Sequence, residues 1–280
     1  MTLRLMSNNK WRCDDNQPYW KKHGLDCSAA VREKGFASFY EKTQPDAIGM
    51  QEVSPLMLEC LLGELKERNL PYAALWGRDT PILWRTDRLE LVDADFLVYP
   101  KTIPGLEGEF NNENTKSYCV VVFREKADGK IFVFMTTHLW WMSENPESGY
   151  YQAGSDQARV WQLQRALDRL DDYQKTYNCP QIIVGDFNTV YDSEPIQAAF
   201  RRGFLHAHDV AVEYSDETNG HHPLGPDVIE PYNPRSFREG IDHILVRDIP
   251  EGAVRRFERS IPEEYLLLSD HAPVWIDITF

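Results

Sequence analysis

The segment that decides the fold of this chain is IIVGDFN, from Ile182 to Asn188. Its three β-branched residues predict a buried strand, and Gly185 then lets the backbone turn. Side chains two residues apart on an extended chain point the same way. We therefore expect Asp186 and Asn188 to face one small target at the end of a strand. Asp and Asn are also common turn formers, so a plain turn stays an alternative.

The composition of the 280 residues is that of a globular protein, with 42% hydrophobic residues and a formal net charge of −14. The chain has no linker, repeat or low-complexity run, which predicts a single domain over residues 1–280. An acidic surface repels phosphate backbones. A nucleic-acid partner is therefore possible through a local basic groove but disfavoured, and we expect a monomer.

No apolar stretch approaches the roughly 20 residues of a membrane span. The chain as given shows no basic-then-apolar signal pattern, so we expect a cytoplasmic protein without a membrane span. The cysteines are odd in number, scattered and without CxxC spacing, which argues against a disulfide framework and a structural zinc site. They are Cys13, Cys27, Cys60, Cys119 and Cys179.

Apolar, β-rich runs alternate with helical patterns along the chain. Several runs are fully apolar, as in strands buried on both faces, and Asp128-Gly129 predicts a hairpin turn. This mixture predicts an α/β or α+β sandwich of two mixed sheets with helices outside. The predicted strands are Leu3–Met6, Ala47–Met50, Ile82–Arg85, Leu89–Val98, Tyr118–Phe123, Ile131–Thr137, Ile182–Val184, Ile241–Val246 and Val274–Phe280.

Helices are predicted over Ala30–Thr43, after Ser54-Pro55 and over Asp156–Tyr177. Ser54 suits an N-cap, and proline suits the first helical position. Three long segments rich in Asn, Pro, Gly and aromatic residues are predicted to be functional loops. These are Lys10–Asp26, Pro100–Thr115 and Glu213–Arg238.

Polar clusters follow or adjoin several of the predicted strands. Each has an ordinary explanation: a lone histidine, for example, is more often structural than catalytic. Their repetition at strand ends favours a shared site. The clusters are Asn8-Asn9, Gln51-Glu52, His138, Asp242-His243 and Ser269-Asp270-His271.

These residue types suit metal-assisted hydrolysis of a phosphate ester. A hard cation such as Mg²⁺ prefers oxygen ligands, which Glu52, Asn9 and Asp270 can supply. Asp186 can orient or deprotonate the attacking water, and Asn188 can fix its geometry. No GxSxG or HExxH motif is present, so direct attack by water is preferred over a protein nucleophile.

The same chemistry needs a proton donor. His271, held by Asp242 as a carboxylate–imidazole pair, can donate to a phosphate oxygen.

The chain resembles the endonuclease/exonuclease/phosphatase superfamily. Six motifs carry the resemblance in the family's order: Leu5–Asn9, Gln51–Val53, Thr136–Leu139, Gly185–Asn188, Gly240–Ile244 and Ser269–Pro273. The resemblance implies a four-layer sandwich with two central mixed sheets, and Mg²⁺ or Mn²⁺ held chiefly by Glu52. The positions that match the family's active site are Asn9, His138, Asp186, Asn188, Asp242, Asp270 and His271.

The chain departs from the family pattern in two places. Asn8 precedes the motif asparagine, so Asn8 is an alternative to Asn9. Trp140-Trp141 follow the histidine motif, and we expect one of them to pack and the other to face the pocket.

Other substrate contacts are weaker predictions. Arg159 falls where bacterial relatives carry an arginine, although it can instead pair with helix acids. Lys116 falls where relatives often carry an arginine near the pocket, and His222 lies in a loop from which it can reach substrate or simply be solvated.

The leading hypothesis is a phosphoesterase acting on a phosphorylated small molecule or a lipid head group, as a phosphomonoesterase or a phosphodiesterase. A DNA or RNA nuclease is the alternative, and a catalytically silent binding module is a third. The nuclease hypothesis needs a basic strip near the pocket, for which the candidates are Arg201, Arg202, Arg235, Arg238, Arg255, Arg256 and Arg259.

Overall fold

The structure, a computed structural model, describes residues 2–12, 24–215, 237–259, 265 and 267–280. Thirteen strands in these ranges form two mixed sheets. The first sheet has seven strands, in the spatial order β10 (Glu213–Tyr214), β12 (Val254–Glu258), β13 (Val274–Ile278), β1 (Leu3–Asn9), β2 (Ala47–Gln51), β4 (Ile82–Arg85) and β3 (Tyr72–Leu75).

The second sheet has six strands. In this sheet the central neighbours are parallel to each other, and the remaining pairs are antiparallel. The spatial order is β5 (Leu89–Val98), β6 (Ser117–Glu125), β7 (Ile131–His138), β8 (Gln181–Asp186), β11 (Asp242–Arg247) and β9 (Leu205–His206), with β7 and β8 as the parallel pair.

Helices cover the outer face of each sheet. On the first sheet lie α1 (Ala29–Thr43) and α2 (Pro55–Glu67), and on the second lie α3 (Ser155–Tyr177) and α4 (Glu194–Arg201). A third apolar layer fills the space between the two sheets. The predicted four-layer sandwich is therefore confirmed. None of the helices described has the length and apolar composition needed to cross a membrane.

Most predicted elements are present, with shifted ends. Ser54 accepts a hydrogen bond from the Met57 amide at 3.2 Å and caps α2, as expected. The Asp128-Gly129 turn joins the antiparallel strands β6 and β7. The elements not predicted are short or edge segments, in which hydrophobic periodicity has too few residues to show. They are β3, β9, β10, β12 and α4.

Gly185 was expected to end its strand, and this was wrong. It lies inside β8, and an added Cβ would come within 2.0 Å of the Thr137 carbonyl oxygen of β7. The turn comes later, at Asn188, whose φ is 50°. Glycine is thus needed for close approach of two strands beside Asp186.

Strand periodicity brings polar side chains to one end of the layer between the sheets. Val184 of β8 and Ile244 of β11 belong to that apolar layer, and residues two positions along each strand face the same way. The next residues in this alternation are Asp186 and Asp242. The apolar interior therefore gives way to a polar cluster at this end of the sandwich.

Candidate active site

Three predicted site residues lie side by side across the second sheet. In the strand register, His138 of β7 is opposite Asp186 of β8, and Asp186 is opposite Asp242 of β11. All three are nearly fully buried. His138 Nε2 lies 3.5 Å from Asp186 Oδ2.

The first sheet adds Asn9 and Glu52 to this row. Asn9 ends β1, and Glu52 follows β2 with a φ of 58°. The Asn9 amide nitrogen donates to Glu52 Oε1 at 3.1 Å and to Asp186 Oδ2 at 3.0 Å, so it joins the two sheets. Its Oδ1 accepts from the Trp11 amide at 2.9 Å. Asn9, predicted to offer oxygen to a metal, here positions two carboxylates through its nitrogen instead.

Asn8 faces away from this cluster, toward α1. It accepts from the Tyr40 hydroxyl at 2.7 Å, and its amide nitrogen lies 2.5 Å from the Tyr265 hydroxyl. Neighbouring residues of a strand point to opposite faces, so only one of the two asparagines can reach the cluster. The structure places Asn9 there.

Asp242 and His271 form the expected pair, with 2.7 Å between Oδ2 and Nδ1. Burial alone lowers the pKa of the His271 imidazole, but the carboxylates of Asp242 and Asp186 outweigh it and raise that pKa well above its usual value. The imidazole is therefore held protonated at neutral pH. Its Nε2 lies 3.9 Å from Asp186 Oδ2, on the side of the carboxylate cluster.

Lys116 and Asp79 both lie close to the nitrogens of the His138 ring. Lys116 Nζ lies 2.5 Å from His138 Nε2, and His138 Nδ1 lies 3.7 Å from Asp79 Oδ2. Burial lowers the pKa of Lys116, opposed chiefly by Glu52 and Asp186. The sequence carried a weak signal for Lys116 through its family position, and none for Asp79, which follows a glycine turn.

The cluster has the properties of a cation site. Carboxylate oxygens of Glu52 and Asp186 lie within 4.8 Å of each other and can take a cation, and a ring nitrogen of His271 lies within the same distance of both. Burial raises the pKa of the Glu52 carboxyl, but attraction to His138 and Lys116 lowers it to about 2, so the group is charged. Of the two carboxylates, Asp186 was predicted for catalysis rather than for the metal.

Asp270 gives an independent indication. Its buried Oδ1 has no hydrogen-bond partner. Burial and, after the opposing effect of His271, the Glu52 carboxylate raise its pKa to about 7. A divalent cation would relieve this repulsion, and oxygen-rich carboxylate sites suit Mg²⁺ or Mn²⁺. The residues present therefore fit the predicted metal.

An open cavity of about 340 Å³ lies over these residues. Asn188 lines it beside Asp186: its backbone amide donates to Asp186 Oδ1 at 2.8 Å, and its side chain donates to the Leu139 carbonyl at 3.0 Å. The turn and the site are thus the same structure. The cavity is lined by Arg12, Glu52, Asp79, Asn112, Glu113, Thr115, Lys116, His138, Trp141, Asp186, Asn188 and His271. A larger cavity of about 590 Å³ beside α3 contains none of the predicted site residues.

The four weaker substrate residues have different positions. Trp140 is buried against Phe110, whereas Trp141 is exposed and lines the cavity. Arg159 is buried and donates to the carbonyls of Trp140 and Met142, and it pairs with Asp156. It therefore supports a loop and does not line the cavity. His222 lies outside the described residues.

Comparisons with known proteins agree with this architecture. The family model described as the endonuclease/exonuclease/phosphatase family matches residues 27–271. A search of curated proteins returned no significant match. A structure of an endonuclease/exonuclease/phosphatase from Bacteroides vulgatus is similar, with a TM-score of 0.74 and 20% identity, covering 100% of this chain and 99% of the other.

Two further similar structures come from proteins with named activities. A mannosyl-6-phosphatase from Bacteroides thetaiotaomicron has a TM-score of 0.70 at 19% identity, with 99% of this chain and 100% of the other covered. Zebrafish (D. rerio) TDP2, bound to a single-strand DNA product, has a TM-score of 0.67 at 18% identity, with 100% and 99% covered. At sequence identities this low, the structural similarity shows a shared fold and nothing about activity.

Proposed function

The chain belongs to the endonuclease/exonuclease/phosphatase family, and from this premise we propose that it is a divalent-metal-dependent phosphoesterase. Members of the family are hydrolases that act on phosphoesters. The observation that carries the proposal is the meeting of Glu52, Asp186 and His271 within 4.8 Å. They come from three distant parts of the sequence and join at the mouth of a cavity.

The metal's contribution is electrostatic. Glu52 would hold Mg²⁺ or Mn²⁺, with Asp270 supplying a further oxygen, and the bound ion would offset charge on the phosphoryl oxygens. The remaining roles belong to side chains of the protein itself.

Asp186 orients and deprotonates the attacking water, and Asn188 forms the turn whose backbone amide holds the Asp186 carboxylate in place. The protonated His271, held by Asp242, donates to a phosphoryl oxygen. Lys116, whose Nζ contacts His138 Nε2, provides a further hydrogen-bond donor, and both residues line the same cavity. The reaction is hydrolysis by direct water attack on a phosphomonoester or phosphodiester.

We propose a phosphorylated small molecule or a lipid head group as the substrate. The mannosyl-6-phosphatase neighbour supports a small phosphorylated molecule. The alternative nuclease function needs a basic strip, and the candidate arginines in the described part of the chain do not line the cavity. Four of them pair with acids, namely Arg201 with Glu194, Arg202 with Asp168 and Asp171, Arg238 with Asp192, and Arg256 with Glu213 and Glu258.

Hydrolysis assays test the proposal. With Mg²⁺ or Mn²⁺ added, we expect the wild type to release phosphate or alcohol from small phosphate esters faster than it cuts oligonucleotides. Glu52→Gln should lower kcat by roughly 100-fold or more, because the site loses its charged ligand. Glu59→Gln, an exposed carboxylate of α2, is the matched control and should keep wild-type rates. Full activity of Glu52→Gln would refute the metal assignment, and faster cutting of oligonucleotides would favour the nuclease.

The expectations of a single domain, a monomer and a cytoplasmic location stay predictions. The first has support from the pairing of β1 with β13, since the two ends of the chain share one sheet.

A further inference from the structure

Exposed aromatic side chains continue outward from the wall of the cavity. Trp141 lines the cavity with 40% of its surface exposed, and Tyr150 beside it is 65% exposed. Their ring centres are 5.4 Å apart in an edge-to-face arrangement. A large aromatic ring exposed to water does not gain the free energy that burial would provide. Two adjacent exposed rings, one of which lines the cavity, therefore indicate a binding surface.

The backbone on both sides of Trp141 is held in place. Arg159 Nη1 donates to the Trp140 carbonyl at 3.0 Å and to the Met142 carbonyl at 2.7 Å. The Trp140 amide donates to the Gln162 side chain of α3 at 2.8 Å. These bonds hold the backbone that carries Trp141, which reduces the conformational entropy lost when a ligand binds to it. Arg159 thus acts as a positioning residue for Trp141.

The rest of the cavity wall supplies polar groups. Asn112, Glu113 and Thr115 lie in the loop before β6, and their side chains line the same cavity as Trp141. Amide, carboxylate and hydroxyl groups can each bond a hydroxyl of a ligand. A wall with one apolar ring and several such groups matches a sugar, which has an apolar face and hydroxyls at its edge.

The charged side chains that line the cavity limit the number of phosphate groups that a substrate can carry. Among the described lining residues, the side chains that carry a positive charge in water are those of Arg12 and Lys116. Arg12 lies 3.5 Å from the Asp79 carboxylate, and the charge of Lys116 is attracted to the carboxylates of Glu52 and Asp186. The four lining carboxylates, those of Glu52, Asp79, Glu113 and Asp186, outnumber these cations. With a divalent cation bound, this balance accommodates one phosphate and disfavours a second.

We propose that Trp141 and Tyr150 form a subsite for the leaving group, which is the neutral ring of a monophosphorylated sugar. Trp141 stacks on the ring and the loop before β6 bonds its hydroxyls, while the phosphate reaches Asp186 and His271. The inference rests on the proposed phosphoesterase function and specifies its substrate class.

The test compares matched primary phosphomonoesters with Mg²⁺ present. Hexose 6-phosphates carry the ring, glycerol 3-phosphate lacks it, and a hexose 1,6-bisphosphate adds a second phosphate. The wild type should prefer a hexose 6-phosphate over the other two in kcat/KM. Trp141→Ala should lower kcat/KM for that hexose about 5- to 30-fold, mainly through KM, and change glycerol 3-phosphate less than about threefold.

Two variants guard against a general structural effect. Trp141→Phe keeps a ring and should restore most of the preference. Phe96→Ala removes an exposed ring on β5, outside the cavity, and should change neither substrate. If Trp141→Ala does not fold, Tyr150→Ala applies the same test and should lower kcat/KM for the hexose about two- to fivefold.

Each remaining outcome counts against a distinct claim. An equal loss on ring and acyclic substrates, or no loss on either, overturns the subsite and leaves the phosphoesterase standing. Preference for the bisphosphate overturns the limit of one phosphate. No hydrolysis of these esters by a wild type that cleaves a phosphodiester or a phosphorylated lipid head group overturns the subsite alone, and no hydrolysis of any phosphate ester overturns the proposed function with it.

Discussion

Two consecutive residues of β11, Asp242 and His243, each contact a histidine, and the two histidines differ in charge. Asp242 points into the polar cluster between the sheets and pairs with His271, whose pKa is raised. His243 points to the other face and bonds His206, with 3.1 Å between His243 Nδ1 and His206 Nε2. Burial lowers the pKa of His243 to about 3 and lowers that of His206 well below its usual value.

The hydrogen bonds of the second pair fix where its protons lie. His243 Nε2 is 2.8 Å from the Thr189 carbonyl, which can only accept, so this nitrogen carries the proton. His243 Nδ1 then accepts from His206 Nε2–H, and His206 Nδ1 accepts from the His208 amide at 3.2 Å. Both rings are neutral with the proton on Nε2. His206 and His243 are almost fully buried, and His271 keeps only 12% of its side chain exposed. Burial lowers the pKa in both environments, and at His271 the carboxylates of Asp242 and Asp186 outweigh it.

The largest effect is expected from removing the carboxylate that makes the first pair different. In Asp242→Asn the pKa of His271 falls, so less of the imidazole is protonated at neutral pH. We expect kcat for a small phosphate ester to fall about 10²- to 10⁴-fold, with the residual rate rising as the pH is lowered. The measurement is kcat against pH with Mg²⁺. An unchanged rate and profile would show that the charge of His271 is not used.

A smaller effect, on stability, should follow from breaking the neutral pair. His243→Phe leaves the Thr189 carbonyl and the His206 Nε2–H without their partner in a buried place. We expect a loss of about 2–4 kcal/mol in the free energy of unfolding, measured by urea denaturation. A loss below about 0.5 kcal/mol would mean that the pair is not needed. Because Thr189 adjoins the site residue Asn188, we expect some loss of activity in this variant, but far less than in Asp242→Asn.

The smallest effect is a change in how stability depends on pH. The pKa of His243 is about 3 in the folded protein and near 6.5 when unfolded, so between these values only the unfolded chain binds the proton. Stability from this residue is present above pH 6.5 and is lost as the pH falls toward 3, by up to about 1.4 kcal/mol per pH unit. His243→Phe should therefore show a shallower acid slope in metal-free denaturation series, and His206→Phe should do the same. A slope identical to that of the wild type would contradict the neutral assignment.

Much of the fold could be predicted from local pattern. The apolar runs around Ile183 and Leu245 identify strands buried on both faces, and Ser54-Pro55 marks the start of α2. The sequence also identified several of the residues that line the cavity, among them Glu52, Asp186 and His271, because polar groups that end apolar strands tend to gather at one edge. Gly185 shows the limit: its role depends on Thr137, which is distant in the sequence.

The same limit explains what was missed in the site. Asp79 lies in the loop before β4 of the first sheet, and it reaches His138 of β7 only because the two sheets pack together; no local motif marks it. Asn8 and Asn9 are chemically equal in the sequence, and the facing of β1 separates them. The metal-capable group likewise combines residues that the sequence had assigned different roles.

The sequence by itself determined the family, the alternation of strands and helices and the set of polar residues available for chemistry, because these depend on residue types and short spacings. The tertiary structure alone decided which groups touch and in which charge state. That Trp141 and not Trp140 faces the cavity, and that His271 is charged while His243 is neutral, follows from strand register and from the burial of each neighbour. The distances between segments decide the contacts, and together with the local dielectric they decide the charge states. The short motifs that identify the chain encode neither the distances nor the dielectric.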